Sequence, residues 1–266
     1  MGDILKLLKE CEVEWKSLEE VAEIYGGLTG KTKIDFENGN AKYIPYKNIF
    51  DNIEINPNNY DSVKISESEN QHKVKYGDVL FTGSSEIVEE AGISSAVTIQ
   101  FATNVYLNSF SFGLRFHDNI QIIPQFSKYL FRSHFLRKEI VKTASGVTRF
   151  NISKARFLKL QIPIPSLSVQ KEIVRILDTF TELTEELTAE LTMRKKQYTY
   201  YCDKLLTFEE GEVEWKHLGE VCGIETGKLN ANQEKIDGQY LFFTCYSNTS
   251  KKHLKKLKAK RNNLLS

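Results

Sequence analysis

The sequence predicts a mixed α and β (α+β) domain, then one long coiled-coil helix, then the beginning of a second copy of the same domain. Three observations predict it. Short strand-like runs alternate with turn residues over positions 12–165, a single apolar stripe at helical spacing follows, and a tract from the start of the chain recurs near its end. The predicted boundaries are 1–166 for the first domain, 167–208 for the helix and 209–266 for the partial second domain.

In the first domain, runs at 41–44, 78–82, 96–101, 110–116 and 157–162 have the β-branched and aromatic composition of strands, with turn residues nearby. Positions 125–143 carry Phe126, Tyr129, Leu130, Leu136 and Ile140 at helical spacing. Net charge is only +1, but it is unevenly spread. Between Lys128 and Lys159 nine Lys or Arg residues stand against the single acid Glu139, whereas positions 51–90 hold nine acids and three lysines. The basic run suits contact with phosphates, and about half of it suits the solvated side of an amphipathic helix instead.

The helix is the clearest local signal. Ile162-Pro163-Ile164-Pro165 is extended by its prolines, and Ser168 is the expected N-cap. From there Ile173, Leu177, Phe180, Leu187, Leu191, Tyr198 and Leu205 fall on one stripe, over a predicted length of roughly 57 Å at about 1.5 Å per residue. Acids fill its first half (Glu172, Asp178, Glu182, Glu185, Glu186, Glu190) and Arg194, Lys195, Lys196 and Lys204 its last. Such a stripe needs a partner helix, and antiparallel pairing would set acidic halves beside basic ones.

The repeat organises the whole. Glu12-Val13-Glu14-Trp15-Lys16 returns as Glu212-Val213-Glu214-Trp215-Lys216, and Leu18, Glu20, Val21 and Ile24 return as Leu218, Glu220, Val221 and Ile224. Thr29-Gly30-Lys31 and Tyr43 find counterparts in Thr226-Gly227-Lys228 and Tyr240, and Lys-Leu-Leu precedes each copy at 6–8 and 204–206. The second copy is expected to stop early, in a tract from Lys251 to Arg261 with seven basic residues and no acid, read as a solvated tail.

No N-terminal signal segment and no membrane-length apolar run is present, so a cytoplasmic protein is expected. Cys11, Cys202, Cys222 and Cys245 form no Cys-x-x-Cys pair, which leaves neither a zinc site nor a disulfide framework indicated. The segment from Gly26 to Thr32 is similar to a phosphate-binding loop, but Tyr25 stands where that pattern needs glycine. A turn offering N–H groups and lysines to DNA phosphates explains it equally well. Asn56-Pro57-Asn58-Asn59 lacks the second proline of an amino-methyltransferase motif, and Glu14-Trp15-Lys16 lacks the other metal ligands of a nuclease. No catalytic residue and no metal site is predicted.

The run from Ser145 to Ser153 (Ser-Gly-Val-Thr-Arg-Phe-Asn-Ile-Ser), then Leu160-Gln161-Ile162-Pro163-Ile164-Pro165, Gln170-Lys171-Glu172-Ile173-Val174 and Ile176-Leu177-Asp178, resembles the end of a target-recognition domain and the start of the spacer helix in Type I restriction-modification specificity subunits. Tyr76-Gly77-Asp78-Val79-Leu80 and the repeated architecture add to the likeness. The resemblance is to a truncated form, with one complete target-recognition domain. It implies a non-catalytic subunit that reads half of a bipartite site in double-stranded DNA. It also implies docking to methyltransferase subunits and to a restriction subunit that cleaves and translocates DNA. The chain itself would hold no cofactor, since S-adenosylmethionine and ATP would belong to those partners. Two readers are restored by a homodimer, or by pairing with another specificity polypeptide, through the helix.

Family position and charge together put Lys31, Lys33, Lys47, Arg149 and Lys154 forward as phosphate contacts. Asn48, Ser84, Ser85, Asn108, Thr148 and Asn151 are put forward for base edges, although a turn cap is the more frequent role of each alone. The competing readings are a coiled-coil dimeric adaptor and a stand-alone DNA-binding protein without a methyltransferase partner. A basic run favours DNA, and no helix-turn-helix pairing is visible for a regulator.

Overall fold

Val79, Leu80 and Phe81 form a run without a polar break, which is what a strand covered on both faces requires. The computed structural model bears this out. It describes residues 13–226 and the backbone of two short strands, Tyr240–Leu241 and His253–Leu254. Positions 6–8, Cys11, Glu12, Gly227, Lys228, Cys245 and most of the basic tract at 251–261 lie outside the described residues.

The first elements are β1 (Glu14–Ser17), α1 (Leu18–Val21), β2 (Ala22–Gly26), β3 (Ala41–Ile44), α2 (Tyr46–Asp51), β4 (Asp61–Val63) and β5 (Val79–Thr82). Next come β6 (Ser84–Ser85), β7 (Ser94–Ala96), β8 (Val105–Leu107), β9 (Ser111–Phe116), α3 (Pro124–Leu130) and α4 (His134–Lys142). The series closes with β10 (Ala144–Ser145), β11 (Phe150–Ile152), α5 (Lys154–Leu158), β12 (Gln161–Ile164), α6 (Leu167–Leu206) and α7 (Leu218–Val221). An antiparallel sheet in the order β2-β9-β5-β7 is the centre.

Its two faces bury different cores. Phe81 packs on one face, its ring 5.2 Å from those of Phe112 and Phe131 and 4.9 Å from that of Phe157. Truncating so enclosed a ring costs about 3–5 kcal/mol. Leu80 points the other way, to Ile44, Ile49, Val97 and Leu107, beneath a second sheet β4-β3-β8 in which β3 and β8 run parallel. Asp78, fully buried, joins three strands: it accepts from the Tyr25 hydroxyl at 2.6 Å and from Arg115 Nε and Nη2 at 2.9 and 2.7 Å. Burial first, then the Asp78 charge, pushes the Tyr25 phenol far up.

Four expectations are corrected. The helix expected at 125–143 is two helices, because the chain turns at Phe131-Arg132-Ser133 and Ser133 caps α4 by accepting from Leu136 N at 3.3 Å. Positions 157–162 are not one strand. Residues Lys154–Leu158 form α5, with Phe157 N bonded to Ser153 O, and β12 starts only at Gln161. At 96–101 the strand has ended by Ala96. Ser168 lies inside the first turn of α6, whose Gln170 N is taken by Ser166 O at 3.0 Å.

The chain divides into two compact units, the break falling between Lys195 and Lys196 within α6. In the first, Gln170 is fully buried and holds Ile123 N, Gln121 O and Pro165 O, and Ile173 packs on the Phe81 core. From Phe180 onward the stripe is exposed, Leu187 by 66% and Leu191 by 55%. In the second, the repeated sequence rebuilds a four-residue helix, Leu218–Val221, with the same capping-box arrangement (His217 with Glu220) as Ser17 with Glu20 in the first copy. Leu18 is fully buried, whereas Leu218 is 68% exposed.

Candidate nucleic-acid interface

Three short strands gather the residues of interest. In the sheet β10-β11-β6, Phe150 pairs with Ser85 and Asn151 with Ser84, so that Ser84, Ser85 and Asn151 share one edge region. The β10–β11 hairpin turns through Gly146-Val147-Thr148-Arg149. Gly146 has φ +147°, and a Cβ there would collide with the carbonyl of Arg149, so only glycine closes this turn. Thr148, Arg149 and Asn151 are exposed, and Val147 at the tip is 91% exposed.

Arg149 reaches back over the sheet. Its Nε donates to Ser84 Oγ at 3.1 Å, and its guanidinium lies 5.9 Å from the centre of the Phe110 ring. Phe110 is 62% exposed, on the turn between β8 and β9. A cleft of about 410 Å³ opens here, lined by Tyr46 and Phe50 of α2, Ser84 to Ile87, Glu90, Phe110 and Arg149. Tyr46 donates to Ser84 O at 3.0 Å and stacks on Phe50, while Ser85 Oγ accepts from Ile87 N at 3.2 Å and donates to Glu90 at 3.4 Å. Lys154, exposed at the start of α5, sits with its ammonium 5.8 Å from the Phe112 ring centre, and Lys47 is exposed on α2 next to Tyr46.

The remaining candidates are placed otherwise. Asn48 is fully buried: its amide donates to Asn56 O and Asn59 O, and its oxygen accepts from Asn56 N and Asn52, which staples the Asn56-Pro57-Asn58-Asn59 turn. Asn108 is buried and holds Ile44 O, Phe110 N and Ser111 Oγ, shaping the turn that presents Phe110. Neither has a free group to offer a base edge. Lys31 is paired with Glu69 at 2.5 Å and donates to Lys64 O at 2.6 Å, which holds the Glu69 carboxyl down to about 2. Lys33 is exposed at the head of a 3-10 turn, and no contact joins it or Lys31 to the cleft. Gly27, within the segment read as a phosphate-facing turn, serves close packing, because a Cβ there would meet the Asn108 carbonyl.

The basic run is largely committed within the fold. Arg132 donates to Ser94 O, Ile49 O, Phe50 O and Asn52 O, and Arg137 to the carbonyls of Gly92, Ala91 and Glu89. Burial pulls both guanidinium groups below their ordinary range, Arg137 to about 10 with help from the Arg132 charge. Lys128 binds Asp178 and Glu54, Lys142 binds Glu139, and Arg156 bonds the carbonyls of Lys142 and Ala144. That leaves Lys138, Arg149, Lys154 and Lys159 facing solvent.

The aromatic members of the cleft, Tyr46, Phe50 and Phe110, were not singled out from sequence. Phe110 was read as the first residue of a strand, and the Asn108-Ser109 pair before it was the available turn signal. Among the described residues no group of His, Cys, Asp and Glu is placed to hold a metal ion, and no helix is long and apolar enough to cross a membrane.

Residues 11–193 match the family model described as the Type I restriction modification DNA specificity domain. The Type I restriction enzyme EcoprrI specificity subunit of Escherichia coli is 31% identical over 256 residues, which are 89% of this chain and 62% of that one. Among solved structures, the S subunit of a Type I restriction-modification system from M. genitalium aligns with TM-score 0.50 and 16% identity over 95% of this chain and 64% of its own. A second, from a structural study of complex assembly and conformational transition in the type I R-M system, aligns with TM-score 0.51 and 19% identity over 74% of this chain and 48% of its own. At these identities the two structures speak for the fold. The chain spans between about half and two thirds of the length of these three relatives.

Proposed function

The chain belongs to the Type I restriction modification DNA specificity family, and from that premise we propose that it is the sequence-reading subunit of such an enzyme. Its first domain reads one half of a bipartite target in double-stranded DNA. The observation that supports this is the face built by β10, β11 and β6, where Arg149 and Asn151 of one hairpin meet Ser84 although they are more than 60 positions apart in sequence. Thr148, Arg149 and Asn151 are exposed there, over Ser84, which is buried and holds the arginine, and exposed polar groups around an arginine are what a duplex groove needs.

The chain carries out neither methylation nor cleavage. Both belong to methyltransferase and restriction subunits that dock on it, together with S-adenosylmethionine and ATP. The exposed stripe of α6 from Phe180 to Leu205 pairs antiparallel with the same stripe of a second copy or of another specificity polypeptide. Antiparallel pairing sets Glu182, Glu185, Glu186 and Glu190 beside the partner's Arg194, Lys195 and Lys196, which parallel pairing would not.

The test is copurification of the full chain with a methyltransferase subunit, followed by duplex binding at several salt concentrations. Each phosphate contact contributes about −0.9 to the slope of log affinity against log salt. A folded complex with no affinity for duplex at low salt defeats the reading. Methyl transfer by the chain alone defeats its non-catalytic part.

A further inference from the structure

We infer that Arg149 is a base-reading residue that takes a guanine of the half-site, not a phosphate clamp; this rests on the reading of the chain as a DNA specificity subunit. The geometry argues for it in three steps. Arg149 is held through Nε, which leaves its two terminal nitrogens as a bidentate pair: Nε is tied to Ser84 Oγ at 3.1 Å, and among the described residues Nη1 and Nη2 donate to nothing. The exposed Phe110 ring lies with its centre 5.9 Å from the guanidinium, within reach of a cation–π attraction that restrains the group. A planar pair of N–H donors restrained in this way matches the O6 and N7 acceptors of guanine in the major groove.

The second step is the charge around it. A clamp for phosphate should be surrounded by cations, and the cleft that Arg149 closes is lined instead by Glu86 and Glu90. Glu90 is also held by Ser85, at 3.4 Å. A phosphate on Arg149 would lie against carboxylates in a partly desolvated cleft, where like charges repel more strongly than in bulk water. The edge of a G·C pair is uncharged. It offers acceptors to arginine on guanine and an amino donor to a carboxylate on cytosine, so both signs of charge in the cleft find partners on one base pair.

The third step is shape. Ile87 and Phe110, which line the cleft, and Val147, at the tip of the hairpin that carries Arg149, are exposed. Apolar tips of this kind contact base edges and thymine methyl groups and gain nothing against a phosphate.

The experiment uses the full chain in complex with its methyltransferase subunit. Bound duplexes are selected from a pool randomised across the site, and salt slopes are measured for the wild type, Arg149→Ala and Arg149→Lys. The expected result is a guanine in the wild-type half-site whose preference disappears in both variants. The other positions keep theirs, affinity for the selected duplex falls roughly 5- to 150-fold, and the salt slope of Arg149→Lys is unchanged. Arg149→Lys keeps the charge and most of the stem, so it carries the test if the alanine variant does not fold. Uniform weakening on every sequence, with the slope of Arg149→Ala reduced by about one and Arg149→Lys close to wild type, makes Arg149 a phosphate contact and overturns the inference. A wild-type complex that binds duplex without sequence preference overturns instead the specificity reading beneath it.

Discussion

Lys128 and Asp178 form an ion pair of 2.9 Å that fastens the first turns of α6 to α3, and Glu54 completes it at 3.5 Å from the same ammonium. Burial works against the charge on both residues. The partners outweigh it: the bond to Asp178 and the Glu54 charge hold the Lys128 ammonium above its ordinary range, and the bonds from Tyr129 and then Lys128 hold the Asp178 carboxyl below its own. Tyr129 adds a hydrogen bond to Asp178 at 2.6 Å. A lysine counted in sequence as part of a DNA-facing run is thus an attachment of the long helix.

A double-mutant cycle between Lys128→Ala and Asp178→Ala should return a coupling energy of about 1 kcal/mol, discounted for the solvent that still reaches Asp178. Urea denaturation of the four proteins measures it. No coupling would mean that α6 is held by Gln170, the Tyr129 hydrogen bond and its apolar contacts without help from the ion pair.

Arg132→Ala should destabilise the first domain by about 3–5 kcal/mol, since it strips a half-buried cation from four carbonyls on two segments. Arg149→Ala, on an exposed hairpin, should change stability by no more than about 0.5 kcal/mol. Thermal unfolding of both variants beside duplex binding separates the two roles. An Arg132 variant with wild-type stability and weakened binding would return that residue to the DNA face.

The Lys31–Glu69 pair predicts a local acid transition. In the folded chain the Glu69 carboxyl is held down to about 2, by the Lys31 ammonium first, then Gln71 and the Ser66 amide, against an ordinary value of 4.5. A depressed carboxylate stabilises above its unfolded value, so the contribution is complete above pH 4.5 and drains away as pH falls toward 2. Carboxyl carbon shifts of Glu69 followed by NMR across that window should give the low midpoint, and Lys31→Ala should move it upward. A midpoint near 4.5 in the wild type would show the pair to be open in solution.

Leu187→Asp together with Leu191→Asp should leave the first domain folded and abolish self-association or pairing through α6. Both side chains are more than half exposed in the single chain, and burial of each is worth roughly 1.5–3 kcal/mol. Sedimentation of the wild type and the double variant measures it. A wild type that stays monomeric at high concentration, with no helical partner in its complex, removes the basis for the paired helix.

Periodic features were legible in the chain because their causes are local. The strand-like composition of 41–44, 78–82 and 110–116, with turn residues nearby, located three strands to within a residue, and the stripe from Ile173 to Leu205 located the long helix. The repeat located a second α1-like start, and the runs from Ser145 to Asp178 pointed to the family. What the sequence by itself determined was therefore the kind of element at these places, and the family.

Only the tertiary structure decided which polar groups are available. Arg132 and Arg149 are the same residue type in one basic run, yet carbonyls about 80 positions away in sequence occupy the first, while the second meets a lone serine hydroxyl and an exposed ring. Asn48 and Asn108 were drawn inside by turns that no periodicity marks. The repeat makes the same point with identical residues. Glu14-Trp15-Lys16 is a strand because β12 lies alongside it, whereas Glu214-Trp215-Lys216 has no strand partner among the described residues and leaves Trp215 75% exposed. A helical turn needs only its own neighbours in the chain. A strand, or a free arginine, depends on what the rest of the fold brings beside it.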